Sequence, residues 1–143
     1  MSNYNIVVAY YNNKKFLGLI DSFEKNIKNK YNFIVYNKSG NELKHNKENL
    51  IQKYLPNVGH ESDTYLNHII DNYDNLSEYT IFIQDDTNNH IPDHNKFISF
   101  CNDIIQNKQL FALYPATWRG GKGVHIRAIG NGHLGLGTLP SRD

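Results

Sequence analysis

Apolar residues run together without alternation in Asn5-Ile6-Val7-Val8-Ala9-Tyr10-Tyr11 and again in Tyr31-Asn32-Phe33-Ile34-Val35-Tyr36. Short β-branched and aromatic runs of this kind fit strands buried on both faces, the usual state of strands in parallel sheets. Between them, Phe16, Leu17, Ile20, Phe23 and Ile27 recur at helical spacing among Lys14, Lys15, Asp21, Glu24 and Lys25, which predicts an amphipathic helix. Asn37-Lys38-Ser39-Gly40-Asn41 has turn chemistry and ends the second run. Residues 42–49 are polar and poorly patterned, a surface connection leading into either a short helix or an edge strand at 50–55.

After Pro56-Asn57-Val58-Gly59, the apolar positions Tyr65, Leu66, Ile69, Ile70 and Tyr73 share one helical face, and the Tyr65, Ile69 and Tyr73 stripe predicts core packing. Glu61 and Asp63 at its start complement the helix dipole without requiring any function. Thr80-Ile81-Phe82-Ile83 reads as a buried strand that runs into the polar cluster Gln84-Asp85-Asp86-Thr87-Asn88-Asn89-His90. Phe97, Ile98, Phe100, Cys101, Ile104 and Ile105 predict another amphipathic helix, followed by a strand at 110–114. From Trp118 glycines interrupt every short apolar run, so the tail reads as loop with a strand at 124–129. Strands alternating with helices predict an α/β fold of the doubly wound, Rossmann-like class. The expected organisation is a single three-layer domain over 1–143 with a mostly parallel sheet, a core at 4–114 and a Gly-rich C-terminal segment at 115–143.

Composition narrows the field more by exclusion than by selection. With 39% hydrophobic and 20% charged residues the chain is globular rather than disordered. Fifteen basic and 14 acidic side chains along the chain give no field that would steer it to nucleic acid or to an anionic membrane. A single cysteine, Cys101, forbids an internal disulfide and is expected to be buried. The start of the chain has no basic n-region, and Ile6 to Tyr11 is too short for a signal peptide or membrane span. The expected location is therefore the cytoplasm or the inside of a viral particle. The viral element of that expectation comes from asparagine, roughly one residue in seven, which reflects AT-rich codons such as those of a large DNA virus or an AT-rich microbe.

In open parallel sheets, ligands bind beyond the carboxyl ends of the strands, where helix N-termini point their N–H groups. That rule brings Tyr11-Asn12, Asn37-Lys38, Asn57-Val58-Gly59-His60 and Gln84-Asp85-Asp86 to one rim. Gly59 before a helix allows close backbone approach to an anion, and Asp85 and Asp86 offer oxygens to a divalent cation. A diphosphate uses both, since the metal neutralises charge on the leaving group. The same residues have plainer uses: Asn-x-Gly is an ordinary turn, and paired Asp after a strand often caps the next helix. Gly130-Asn131-Gly132-His133-Leu134-Gly135 lacks the following helix that a dinucleotide fingerprint needs, and Gly120-Gly121-Lys122-Gly123 lacks the spacing of a P-loop, although Arg119 and Lys122 remain able to touch a phosphate.

The run from Asn57 to Leu76, followed by Thr80-Ile81-Phe82-Ile83-Gln84, resembles the core motif of an uncharacterised family, the domain of unknown function numbered 3431. Val7-Val8-Ala9-Tyr10-Tyr11-Asn12 and Tyr36-Asn37-Lys38 are similar to its early strands. That family is similar in layout to glycosyltransferases of the GT-A type, in which Asn-x-Gly opens a helix and the next strand ends in an Asp-x-Asp metal motif. The resemblance implies a nucleotide-sugar donor, a divalent metal (Mn or Mg) and transfer of the sugar to an unknown acceptor. It makes Asp85 and Asp86 the catalytic candidates. Tyr11, Asn12, Asn37, Lys38, Asn57, Gly59, His60 and Gln84 become substrate-binding candidates, and Asp86, Gln84 and His90 metal ligands. This chain departs from the motif at Gln84, where a neutral carboxamide replaces the first carboxylate; His90, His94, His125 and His133 are the candidates for a compensating ligand. The alternative expectation is a non-catalytic module retaining the fold, for instance a component of a virion or surface assembly, acting as a homo-oligomer or in a larger particle.

Overall fold

The computed structural model describes residues 4–13, 15–27, 30–85 and 93–109, and the backbone alone of 111–115 and 125–130. The elements follow in the order β1 (Tyr4–Tyr10), α1 (Phe16–Asn26), β2 (Tyr31–Asn37), β3 (Leu50–Tyr54), α2 (His60–Asp71), a 3-10 turn (Tyr73–Asn75), β4 (Tyr79–Gln84), α3 (His94–Gln106), β5 (Phe111–Pro115) and β6 (His125–Gly130).

β1 pairs in parallel with β2 on one side and β4 on the other, and β2 pairs in parallel with β3, so the order begins β3-β2-β1-β4. The unalternating apolar runs explain this part of the sheet. Ile6, Val8 and Tyr10 face one side and Val7 the other, and all are essentially inaccessible to solvent. On the first face α1 and α3 supply Phe16, Leu19, Ile20, Phe23, Phe97, Ile98, Cys101, Ile104 and Ile105 to the larger core. On the second face α2 packs over Val7, Ile34, Tyr36 and Phe82 through Tyr65 and Ile69. The chain is thus an α/β fold whose described helices cover both faces of a sheet with four parallel strands.

One open alternative is decided and two expectations change. The segment at 50–55 is a strand, because Leu50 joins the larger core while Gln52 bonds back to the Leu43 backbone and to Asn37. The strand read at 110–114, now β5, does not pair with β4. β6 lies between them, antiparallel to both, which departs from the order in which each new parallel strand is added outside the last. Finally, of the expected core stripe on α2, Tyr65 and Ile69 do pack on the smaller core, but Tyr73 is exposed together with Leu66 and Ile70, and Thr64 and His68 take the most deeply buried positions on the helix.

Candidate functional site

The order of the strands locates the crevice. From β1 the chain moves outward to β2 and β3, then crosses back to place β4 on the opposite side of β1, and at such a switch point the loops beyond two neighbouring strands separate. Register puts their ends level: Tyr10 lies beside Asn37 and Ala9 beside Gln84. The ladder continues one step further, with Lys38 N–H donating to Tyr10 C=O at 2.8 Å and Asp85 N–H to Ala9 C=O at 3.0 Å. Tyr11, Lys38 and Asp85 therefore start from one rim, as their positions at the strand ends require.

Two of the charged rim residues turn inward. The Lys38 side chain is fully buried, and its Nζ donates to Val58 C=O at 2.8 Å and His60 C=O at 2.6 Å, with Asp63 Oδ2 at 3.5 Å. Gly59 and His60 both adopt left-handed backbone, with φ of 70° and 54°, and the two carbonyls flanking Gly59 converge on the one ammonium. Glycine is required at 59: a Cβ there would stand 2.5 Å from the Asp63 Cβ. Asp85 acts as the mirror image of Lys38. It is 2% exposed, and its Oδ2 accepts from Tyr11 N–H at 2.7 Å and Asn13 N–H at 2.8 Å. A cation at the end of β2 thus fixes the turn before α2, and an anion at the end of β4 fixes the loop after β1. Buried charges are tolerated where hydrogen bonds satisfy them in this way.

Asn37 is also inward. Its Nδ2 donates to Asn41 C=O and to Gln52 Oε1, both at 2.7 Å, and its Oδ1 accepts from the Ser39 N–H and hydroxyl. It closes the turn after β2 and is 1% exposed. The remaining sequence-derived residues divide differently. Asn12, Asn57, Gly59 and His60 are exposed, while Tyr11 and Gln84 are half-buried. Asn12 has a φ of 100°, a conformation rare for a residue with a side chain. Asp86, His90, Arg119, Lys122 and His133 lie outside the described residues, and of His125 only the backbone is described. His94 opens α3, partly buried.

Asp93 caps α3, its side chain accepting from the N–H groups of Asn95 and Lys96, whereas α1 and α2 both begin with no side-chain cap, α2 at Gly59 with its entry turn open to solvent. Uncapped first-turn N–H groups retain the positive end of the helix dipole. Opposing that, Glu61, Asp63 and Asp85 surround Tyr11. Burial, then Glu61, Asp85 and Asp63 in that order, push the Tyr11 hydroxyl up to about 12. The Lys38 ammonium stands 5.6 Å from the centre of the same ring. Around Tyr11 three carboxylates thus meet one ammonium.

Sequence reasoning overlooked Asn13, Asp63 and His68. The spacing of Gly59 and Asp63 is the one readable signal, since residues four apart meet on a helix. Beneath α2, His68 Nδ1 meets the Tyr36 hydroxyl at 2.8 Å, and His68 Nε2 and Thr64 Oγ1 are buried with no hydrogen-bond partner.

A doubly wound start, a switch point between β1 and β4, and a rim built from four separate segments define an open α/β domain with its loops gathered over the carboxyl ends of the strands. Within that class the chain belongs to the family described as "Protein of unknown function (DUF3431)", whose model matches residues 6–111 and so spans the whole rim. No curated protein and no solved structure matches the chain.

Proposed function

We propose that this domain binds a nucleotide-sugar in a GT-A-like manner at the β1–β4 crevice, and that transfer of the sugar to an acceptor is the catalytic form of that activity. The observation that carries the reading is the convergence, at a switch point, of an exposed uncapped helix start at Asn57–His60 with the loop at Tyr11–Asn13 and the end of β4 at Gln84. Helix starts of this kind receive phosphates. The half-buried Tyr11 ring offers a flat apolar surface beside them. Three carboxylates around that ring would repel a diphosphate arriving alone, and a divalent cation accompanying it removes the conflict.

The described donors do not hold such a cation by themselves. Gln84 offers a neutral oxygen, Asp85 already accepts two backbone N–H groups, and no group of three metal-ligating side chains occurs among the described residues. The metal in this reading rests on Asp86 with His90, and no chemical step is derived through it.

Calorimetric titration with a panel of nucleotide-sugars, with and without manganese, tests the reading on the wild type and on Asp86→Ala. Saturable, metal-dependent binding that weakens in the variant is expected, and absence of binding to every donor overturns it. A second reading, a non-catalytic module of a larger assembly, draws on the engagement of Lys38 and Asp85 with backbone rather than solvent. A homogeneous high-order assembly in light scattering without donor turnover favours it, and turnover lost in Asp86→Ala excludes it.

A further inference from the structure

The even balance of 15 basic and 14 acidic side chains conceals a segregation. Between Lys53 and Lys96 there is no Lys or Arg, yet eight of the 14 acidic side chains fall in that stretch. Helix α2 lies wholly within it.

The outward face of α2 is apolar. Leu66 is 58% exposed, Ile70 71% and, in the 3-10 turn that follows, Tyr73 65%. Steps of four and three residues align them in one stripe, turned away from Thr64 and His68, which face the sheet. Asp71 and Asp74, both exposed, lie along the same stretch. Lys38 and Lys53, which also lie by α2, are drawn to Asp63 and to the Tyr36 ring beneath the helix, and an apolar stripe in solvent beside the exposed Asp71 and Asp74 suits a docking face.

We propose that this stripe docks a basic amphipathic helix of a partner protein. Its apolar seam would cover Leu66, Ile70 and Tyr73, and its Lys or Arg flank would meet Asp71 and Asp74. Charge complementarity selects this occupant. A second copy of α2 brings no Lys or Arg to the acids in either a parallel or an antiparallel pairing, and an anionic lipid surface repels them. The inference does not depend on the nucleotide-sugar reading.

The test titrates the full chain, by fluorescence anisotropy, with three synthetic helical peptides that share one leucine seam and carry lysine, serine or glutamate flanks. The lysine peptide should bind tightest, weaken as salt rises, and lose at least about tenfold in affinity to Ile70→Ser, equivalent to about 1.4 kcal/mol. Asp71→Lys should weaken the lysine peptide and strengthen the glutamate peptide. Both changes are at exposed positions, so the variants should keep the wild-type fold, checked by circular dichroism. Equal binding of the three peptides, no binding of any, or lysine-peptide binding untouched by Ile70→Ser overturns the proposal. So does a dimer in sedimentation, or binding to phosphatidylserine vesicles, that Ile70→Ser abolishes. Protection of Tyr73 from hydroxyl-radical labelling in the free chain would assign the stripe to the chain's own residues and overturn it as well.

Discussion

The two faces of the sheet are covered by opposite chemistry. Under α1 and α3 the contacts are aromatic and aliphatic throughout: Phe23 meets Phe33 and Phe97 edge-on, with ring centres 5.8 and 5.7 Å apart, and tilts against Tyr31 at 5.8 Å. Under α2 the most deeply buried helix residues are a threonine and a histidine, while three large apolar side chains point to water. The first face is built for stability. The second supports the rim, since α2 carries the Gly59 turn at its start, and its packing includes polar groups whose satisfaction depends on Tyr36 and Lys38.

The contrast is broken most severely on the apolar face. Phe23→Ala removes a fully buried ring that touches both helices and the sheet, and it should cost about 4 kcal/mol in denaturant unfolding, within the usual range for core phenylalanines. A loss below about 1 kcal/mol would mean that this face is not the principal source of stability.

Lys38→Met comes next. It leaves the carbonyls of Val58 and His60 without their donor and Asp63 without its ion pair, and a loss of about 3 kcal/mol is expected because one partner of a buried polar set has been removed. Hydrogen exchange separates this from a general weakening: protection should fall first in residues 58–63, with the amides of β1 little changed.

His68 makes the second face sensitive to acid. Burial, aided by the nearby Lys53 ammonium and opposed by Asp71, lowers its pKa from 6.5 to about 4. Because the folded value lies below the unfolded one, the unfolded chain takes the proton first. Stability is complete above about pH 6.5 and declines as pH falls towards 4, by about 3 kcal/mol in all. His68→Leu should flatten the unfolding midpoint over that window relative to the wild type, and parallel slopes for the two proteins would refute the assignment.

Gly59→Ala tests the entry to α2 more gently. The left-handed backbone and the short approach to Asp63 both oppose a side chain, and a loss of about 2 kcal/mol is expected, together with weaker binding of any donor that uses the helix start. Wild-type stability in the alanine variant would show that the turn can relax away from Lys38.

What could be read from the sequence follows the same division. The unbroken apolar runs of β1, β2 and β4 announced strands buried on both faces, and Phe16 to Ile27 announced a helix with one apolar side; local pattern and global packing agree there. On α2 the Tyr65 and Ile69 part of the expected stripe does face inward, but Tyr73 does not, and the helix is rotated so that Thr64 and His68, rather than Leu66 and Ile70 of its wide apolar arc, share that face. The reason lies outside the helix, in the Tyr36 hydroxyl that meets His68 and the Phe82 ring that meets Tyr65. The rim was legible as a set of strand ends. Which of its charges turn inward was not, because Lys38 and Asp85 find their partners 20 or more residues away in sequence. The place of β6 between β4 and β5 is non-local in the same way.

The smallest effect is the most diagnostic of that rotation. If Leu66 and Ile70 were part of the core, replacing either with serine would cost several kcal/mol; exposed as they are, each change should alter stability by less than about 0.5 kcal/mol. Tyr65→Ser, one position away and packed on Phe82 with ring centres 5.0 Å apart, should lose far more. Measuring the three variants side by side in urea fixes the orientation of α2 from energetics alone, since only a helix turned with Thr64 and His68 inward makes Tyr65 costly and its neighbour Leu66 free. Equal losses at 65 and 66 would return the stripe to the core and remove the docking face with it.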